Sequence, residues 1–356
     1  MADSKLNVKN LLEKTLIANA SDLHLTVGLP PILRIDGQLQ AVGGLSNLKP
    51  QDTQSLAYQL LDPRQKEIFE REKEIDFSYS FEEKARFRIN VFREKETVAV
   101  ALRLLPTQIR SIQDLGLPPI VENFATRSQG FVLVTGPTGH GKTTTLASLV
   151  DKINTERSDH IITIEDPIEY LHAHKKSIVV QRELHEDTHS FAKALRSVLR
   201  EDPDVVLVGE MRDLETISAA ITIAETGHLV FSTLHTNNAA ETMDRIIDVF
   251  PPHQQPQVRI QLSQILLGVV SQRLLPKIGG GRVAACEVLF TTPAVANLIR
   301  EGKTYQLRSV LQTGAEDNMI PLEKSLAELV EKGHITLDDA TKYANDPGYL
   351  KQILGN

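Results

Sequence analysis

The 356-residue chain has no tryptophan, one cysteine and only 5% aromatic residues. A lone cysteine, Cys286, excludes an internal disulfide and any zinc site built from several thiolates. Its setting, Val283-Ala284-Ala285-Cys286-Glu287-Val288-Leu289-Phe290, reads as a strand, so the thiol is expected in the core and not as a nucleophile. No apolar run approaches the ~18 residues of a membrane span, and Met1 to Lys9 has no hydrophobic signal core. The chain is therefore expected in the cytoplasm, with no integral membrane segment. Positive charge is in short supply too: 39 Lys and Arg against 46 Asp and Glu give −7, which argues against a general grip on nucleic acid. What is present, 41% hydrophobic and 24% charged residues, describes a globular protein long enough for two domains.

Apolar positions at Leu6, Val8, Leu11, Leu12, Leu16 and Ile17 predict an amphipathic helix within residues 5–20. Asp22–Val27 and Ile32–Ile35 read as short strands, and Asp36-Gly37 is a hairpin-turn signal. Asp22 and His24 alternate with Leu23 and Leu25, the pattern of a solvated strand face. Pro50 to Glu74, rich in Lys and Glu, reads as a polar helical stretch. Asp76–Phe81, Ala85–Arg93 and Thr97–Leu105 follow as a meander. In the middle strand Phe87, Ile89 and Val91 share one face while Arg86, Arg88 and Asn90 share the other; in the last, Arg103 lies opposite Val98, Val100 and Leu102. Residues 1–105 are thus expected to form a small α+β domain. Residues 106–119 have no sustained period, and their prolines forbid a continuous helix or central strand, so they read as a linker.

The pattern then changes. Phe131–Thr135, Ile161–Glu165, Val205–Gly209, Leu229–Thr233 and Val283–Phe290 are apolar strands separated by helical segments, which predicts an α/β core over 120–290 with a parallel sheet covered on both faces. Residues 291–356 read as a helical lobe, with Val295, Leu298, Ile299, Leu322, Leu326, Leu329 and Val330 at helical intervals. A parallel sheet collects ligands at the carboxyl ends of its strands, where the polar residues of this core also fall.

After the first of these strands stands Gly136-Pro137-Thr138-Gly139-His140-Gly141-Lys142-Thr143, which fits G-x-x-x-x-G-K-[ST]. Its glycines let successive N–H groups and a helix N-terminus face one anion. Lys142 can reach the β- and γ-phosphates and Thr143 can offer a hydroxyl to Mg²⁺. Gly136 to Thr143, with Thr144, is therefore the expected site for ATP or GTP. Asp204-Val205-Val206-Leu207-Val208-Gly209-Glu210 delivers a carboxylate from a buried strand, an arrangement that holds Mg²⁺ or orients an attacking water, and Glu210 is read as catalytic. Ile161 to Asp166 supplies a second strand-end pair: Glu165 can assist the metal or the water, whereas Asp166 either joins the site or shapes the turn before Pro167. His228 and His235 flank the next strand and would face opposite sides of it, so a shared metal is not expected; each is a hydrogen-bond sensor or a structural histidine. His172, His174, His185 and His189 lack metal-ligand spacing and read as a solvated loop. Ser232 and Thr143–Thr145 lack a nucleophile elbow, which sets covalent catalysis aside.

Taken together these motifs resemble the secretion-superfamily ATPases, and among them the type IV pilus retraction ATPases, over nearly the whole chain. Gly136 to Thr143 is similar to their Walker A motif, Ile164 to Tyr170 to their Asp box, Asp202 to Asp213 to their atypical Walker B and Thr226 to Asn237 to their His box. Ala294 to Lys303 is similar to a C-terminal retraction motif, with Ala296 in place of the usual Arg, and His140 stands where the family commonly has Ser. The resemblance implies a homohexameric ring of RecA-like P-loop cores with PAS-like N-terminal domains that close over ATP and Mg²⁺. It further implies that Arg88 and Arg103 reach the γ-phosphate, and that Glu210, Glu165, Lys142, His228 and His235 serve hydrolysis. The implied partners are an inner-membrane pilus platform protein and, through it, the pilin filament, with the motor peripheral at the pilus base. Rival readings are an auxiliary retraction paralogue, an extension motor and a low-turnover regulatory module; the lone cysteine disfavours extension motors, which usually carry a zinc-binding tetracysteine.

Overall fold

The computed structural model describes residues 6–355 apart from positions 36, 83 and 107. It divides into two units, one holding residues up to Gln108 with Glu169–Leu171, the other Ile109–Ile168 and His172 onward.

In the first unit, α1 (Val8–Ile17) begins where the Asn7 side chain accepts the N–H of Lys9, and it buries Val8, Leu11 and Leu12. β1 (Asp22–Leu25), β2 (Ile32–Ile35) and β3 (Gln38–Ala41) follow, the last two antiparallel with Ile35 opposite Gln38. Asp36 of the expected hairpin turn lies outside the described residues. The stretch read as one helical segment is two, α2 (Pro50–Leu60) and α3 (Pro63–Glu72). Asp62 is the reason for the break: it accepts the N–H of Gln65 at 2.7 Å, Gln65 returns the bond to the Asp62 N–H at 3.2 Å, and Pro63 takes the first helical position. β4 (Glu74–Phe81), β5 (Ala85–Glu94) and β6 (Thr97–Leu105) complete a six-stranded sheet in the order β3-β2-β1-β6-β5-β4, every pair antiparallel. Phe87, Ile89, Val91, Val98, Val100 and Leu102 fill its buried face.

Asp22 departs from the solvated face expected of it. It is 8% exposed, accepts from Ser21 Oγ at 2.8 Å and Arg103 Nε at 3.0 Å, and lies 3.6 Å from Arg34 Nε. Burial alone would raise its pKa, but the Ser21 and Arg103 bonds hold the carboxyl below its ordinary range.

The second unit is built on a seven-stranded sheet ordered β13-β12-β7-β11-β10-β8-β9. In chain order its elements are β7 (Gly130–Thr135), α4 (Lys142–Glu156), β8 (His160–Glu165), β9 (Ile178–Glu183), α5 (Phe191–Val198), β10 (Val205–Val208), α6 (Leu214–Glu225), β11 (Leu229–Leu234), α7 (Ala239–Asp248), α8 (Gln255–Ile265), β12 (Leu266–Pro276) and β13 (Arg282–Phe290). Alternation along β7 sends Phe131 and Leu133 into one apolar layer and Val132 and Val134 into the other, so the strand is buried on both sides. Two strands were not foreseen, β9 and β12, and the last strand was misread: β13 runs antiparallel to β12 at the edge of an otherwise parallel sheet. Within the segment read as a linker, Ile112 and Leu117 are buried with the second layer.

β9 also crosses the histidine-rich stretch that was expected to be a solvated loop. Burial there pushes His172 down to about 4, and His174 Nδ1 accepts the N–H of Val179 at 3.1 Å. Cys286 is buried in β13, which pushes its thiol up to about 12. The helical lobe comprises α9 (Pro293–Arg300), α10 (Leu307–Thr313), α11 (Leu322–Glu331), α12 (Leu337–Tyr343) and α13 (Pro347–Leu354). Leu322, Leu326 and Leu350 pack with Leu275 of β12 and Ala285 of β13, and Arg273 of β12 donates to the Tyr343 carbonyl and to Asn345 Oδ1. Among the described residues no helix is long and apolar enough to cross a membrane.

Candidate functional site

β7 ends at Thr135 in the interior of the sheet, between β12 and β11, and the next residues form a loop that runs into α4. Gly136, Gly139 and Gly141 adopt φ of 142°, 77° and 85°, conformations that side chains resist. Space constrains two of them further: a Cβ on Gly136 would meet the Gln272 carbonyl at 2.2 Å, and one on Gly141 would meet Gln272 Nε2 at 2.8 Å. β12 pairs with β7 only as far as Ser271 opposite Thr135, and beyond that point it backs the loop instead. There Gln272 Nε2 donates to the His140 carbonyl at 2.9 Å, Thr145 Oγ1 donates to Gln272 Oε1 at 2.7 Å and Arg282 reaches the Gly139 carbonyl at 3.2 Å.

α4 starts at Lys142, so Thr143 and Thr144 occupy its first turn, with its N–H groups directed at the loop. Lys142 is 8% exposed, and its ammonium donates to the carbonyls of Gly136 at 2.8 Å and Pro137 at 3.0 Å. A buried cation inside a ring of backbone dipoles at a helix N-terminus suits a phosphate chain.

Glu210 follows β10, two strands from the loop, and its backbone is gripped by β11: Thr233 Oγ1 donates to the Gly209 carbonyl at 2.6 Å and the Met211 N–H to the Thr233 carbonyl at 3.3 Å. Both carboxylate oxygens are held by Arg212 at 2.8 Å. Burial pulls the Glu210 pKa up, yet Arg212 and His235 outweigh it and hold the carboxyl below its ordinary range. His235, at the end of β11, joins the parts. Its Nε2 lies 3.2 Å from Glu210 Oε1, and its Nδ1 lies 3.2 Å from Thr138 Oγ1 and 3.4 Å from Lys142 Nζ.

The other expected residues are placed differently. Glu165 is buried at the end of β8, accepting from Thr163 Oγ1 at 2.7 Å and Gln181 Nε2 at 3.1 Å. Asp166 is exposed beside it, and no helix begins there. His228 stands at the opposite end of β11 from His235, about 20 Å away at strand rise, with Nδ1 3.0 Å from the Ile223 carbonyl. Ser232 is buried and donates to the Val208 carbonyl at 2.8 Å, a framework bond. Arg88 and Arg103 belong to the first unit, where they face each other across β5 and β6; Arg88 is paired with Asp76 and Arg103 with Asp22. Sequence reading missed Gln272, Thr233 and Arg212 as supports. Only Arg212 left a signal, a cation two residues after the strand-end carboxylate.

The donor set suits Mg²⁺: the Thr143 hydroxyl and an ionised Glu210 are hard oxygen ligands. Among the described residues no group of three or more His, Cys, Asp or Glu could hold a metal, so such an ion would draw its remaining ligands from phosphates and water.

Comparison with known proteins identifies the family. Residues 4–316 match the family described as Type II/IV secretion system protein. The chain is 47% identical to the type IV pilus retraction ATPase PilT of Pseudomonas aeruginosa, over 96% of this chain and 99% of that one. It is 45% identical to a twitching motility protein of Neisseria gonorrhoeae, over 96% and 91%. A crystal structure of the pilus retraction motor PilT with bound ADP superposes with a TM-score of 0.91 at 51% identity, covering 97% of this chain and 99% of that one. The chain is an ATPase and belongs to the type II/IV secretion system protein family.

Proposed function

We propose that this chain is the motor ATPase that powers type IV pilus retraction, working as a homohexamer at the cytoplasmic face of the inner membrane and acting through a platform protein on the pilin filament. The observation that carries the reading is the bridge from the phosphate loop through His235 to Glu210, which couples nucleotide contact to the hydrolytic carboxylate. Lys142 exchanges its hold on Gly136 and Pro137 for the β- and γ-phosphates. Glu210, ionised at neutral pH, aligns the attacking water and takes its proton, and His235 reports the state of the loop to it. Thr143 and Glu210 would hold Mg²⁺, which when bound would supply charge neutralisation to the phosphate oxygens. Arg88 and Arg103 supply positive charge to the departing phosphoryl group; a finger of this type contributes ~10³- to 10⁵-fold in turnover. In domain terms, 1–105 serves as the PAS-like element, 106–119 as the linker, 120–290 as the RecA-like core and 291–356 as the helical lobe.

Deleting the gene and counting surface pili tests the direction of work. Excess pili with loss of surface motility is the expected result, and bald cells would mean extension. For the enzyme, R88A should bind ATP and hydrolyse it slowly; normal turnover at saturating ATP would remove Arg88 from this role.

A further inference from the structure

The phosphate loop carries a histidine whose ring is turned away from the helix N-terminus and onto the neighbouring strand. His140 Nδ1 accepts the backbone N–H of Leu274 at 3.0 Å, while its own carbonyl accepts from Gln272 Nε2 at 2.9 Å. Both partners lie on the part of β12 that outruns β7, where no neighbouring strand of the parallel ladder remains to take up that N–H. The ring therefore replaces a missing strand residue.

We propose that His140 is a positioning residue for nucleotide binding: its Nδ1 lone pair ties the phosphate loop to β12, and the tie requires a neutral ring. An accepting Nδ1 places the single ring proton of the neutral form on Nε2. Protonation puts a second N–H where Leu274 already donates, so two donors face each other and the loop loses its brace. The groups around the ring act in the same sense. Burial first, then the cations Lys142 of α4, Arg273 of β12 and Arg282 of β13, push its pKa below 6.5. The tie is thus complete above that value and weakens as pH falls below it. Phosphate bound nearby would favour the charged ring through space, so the direction of the pH effect separates a positioning role from simple attraction.

The inference rests on nucleotide binding at this loop, which K142A tests separately by removing binding at every pH. Full-length protein is titrated with a fluorescent N-methylanthraniloyl ADP in Mg²⁺ from about pH 8 to about pH 5.5, a range bracketing the ordinary histidine value. Wild type is expected to lose affinity on acidification, by up to about ten-fold, the effect of one part-buried donor left without an acceptor. H140A should show that loss at every pH. H140N, whose Oδ1 takes the place of Nδ1 and does not titrate, should restore neutral-pH affinity and lack the His140 contribution to the acid limb. Melting curves of each variant confirm that the chain is folded. An acid limb identical in wild type and H140N, full affinity in H140A, or affinity that rises as wild type is acidified would each overturn the proposal. Failure of wild type to bind at all would remove the nucleotide reading and this inference with it.

Discussion

Glu210 and Glu165 occupy the ends of adjacent parallel strands and look alike in sequence, each an acid after a β-branched run, yet the structure treats them differently. Glu210 is partly open, and its partners lead outward: Arg212 on both oxygens, then His235, then Thr138 of the loop. Glu165 is closed in by Thr163 of its own strand and Gln181 of β9. Gly209 packs between the two strand ends so closely that a Cβ there would lie 3.2 Å from the Ile164 carbonyl and 3.3 Å from Glu165 Cα. A carboxylate whose charged partners are exposed can change them during a reaction. One held by short framework hydroxyl and amide groups resists such exchange. The same contrast runs along β11, where His235 reaches the loop and His228 is tied to the end of α6.

Substitutions can break or sharpen this contrast. E210Q should bind ATP and lower turnover by about 10²- to 10⁴-fold, the usual contribution of a positioned base; rapid phosphate release from that variant would transfer the role to Glu165. H235A, which cuts the bridge but leaves both ends, should cost roughly ten-fold in kcat, the worth of one charge-assisted hydrogen bond, with little change in KM. E165Q should act mainly on stability, by about 1–3 kcal/mol for a disturbed buried acceptor. Its melting temperature should fall more than its turnover, and the opposite order would make Glu165 chemical. R212A should move the acid limb of kcat to higher pH. Arg212 helps hold Glu210 low, the base works ionised, and a raised pKa is crossed earlier as pH falls; an unmoved limb would show that Arg212 does not tune it. H228A should change turnover by no more than about two-fold, as for a hydrogen bond remote from the site, and a larger loss in kcat would bring His228 back into catalysis.

The legible parts of the molecule were those in which local pattern and tertiary role agree. The strand, loop and helix around Gly136 to Thr143 follow from a buried run, glycines at left-handed positions and a helix start, and β6 matches its alternation at both ends. β12 was illegible because it follows Ile265 of α8 without a turn residue, so Ile265 to Val270 reads as one apolar run across the end of a helix. Gly268 within it argues against a regular element until Phe124 and the Leu289 carbonyl are seen to occupy the space a Cβ would need. β9 escaped for the opposite reason: Ile178 and Val180 are exposed on an edge strand among charged neighbours. The supports of the site could not be read because they arrive across the fold, Gln272 at 132 positions from His140 and Thr233 at 24 from Gly209. The break at Asp62 was readable, since Asp62, Pro63 and Gln65 write a helix start in full.

Gln272 and Arg273 are neighbours on β12, and strand alternation sends their side chains to opposite faces. The first grips the phosphate loop and α4; the second grips the turn between α12 and α13. One peptide bond is the whole mechanical distance between the chemistry and the last helices of the chain. β12 is in effect a shared beam, to which the phosphate loop and the carboxyl-terminal turn are fastened at adjacent residues.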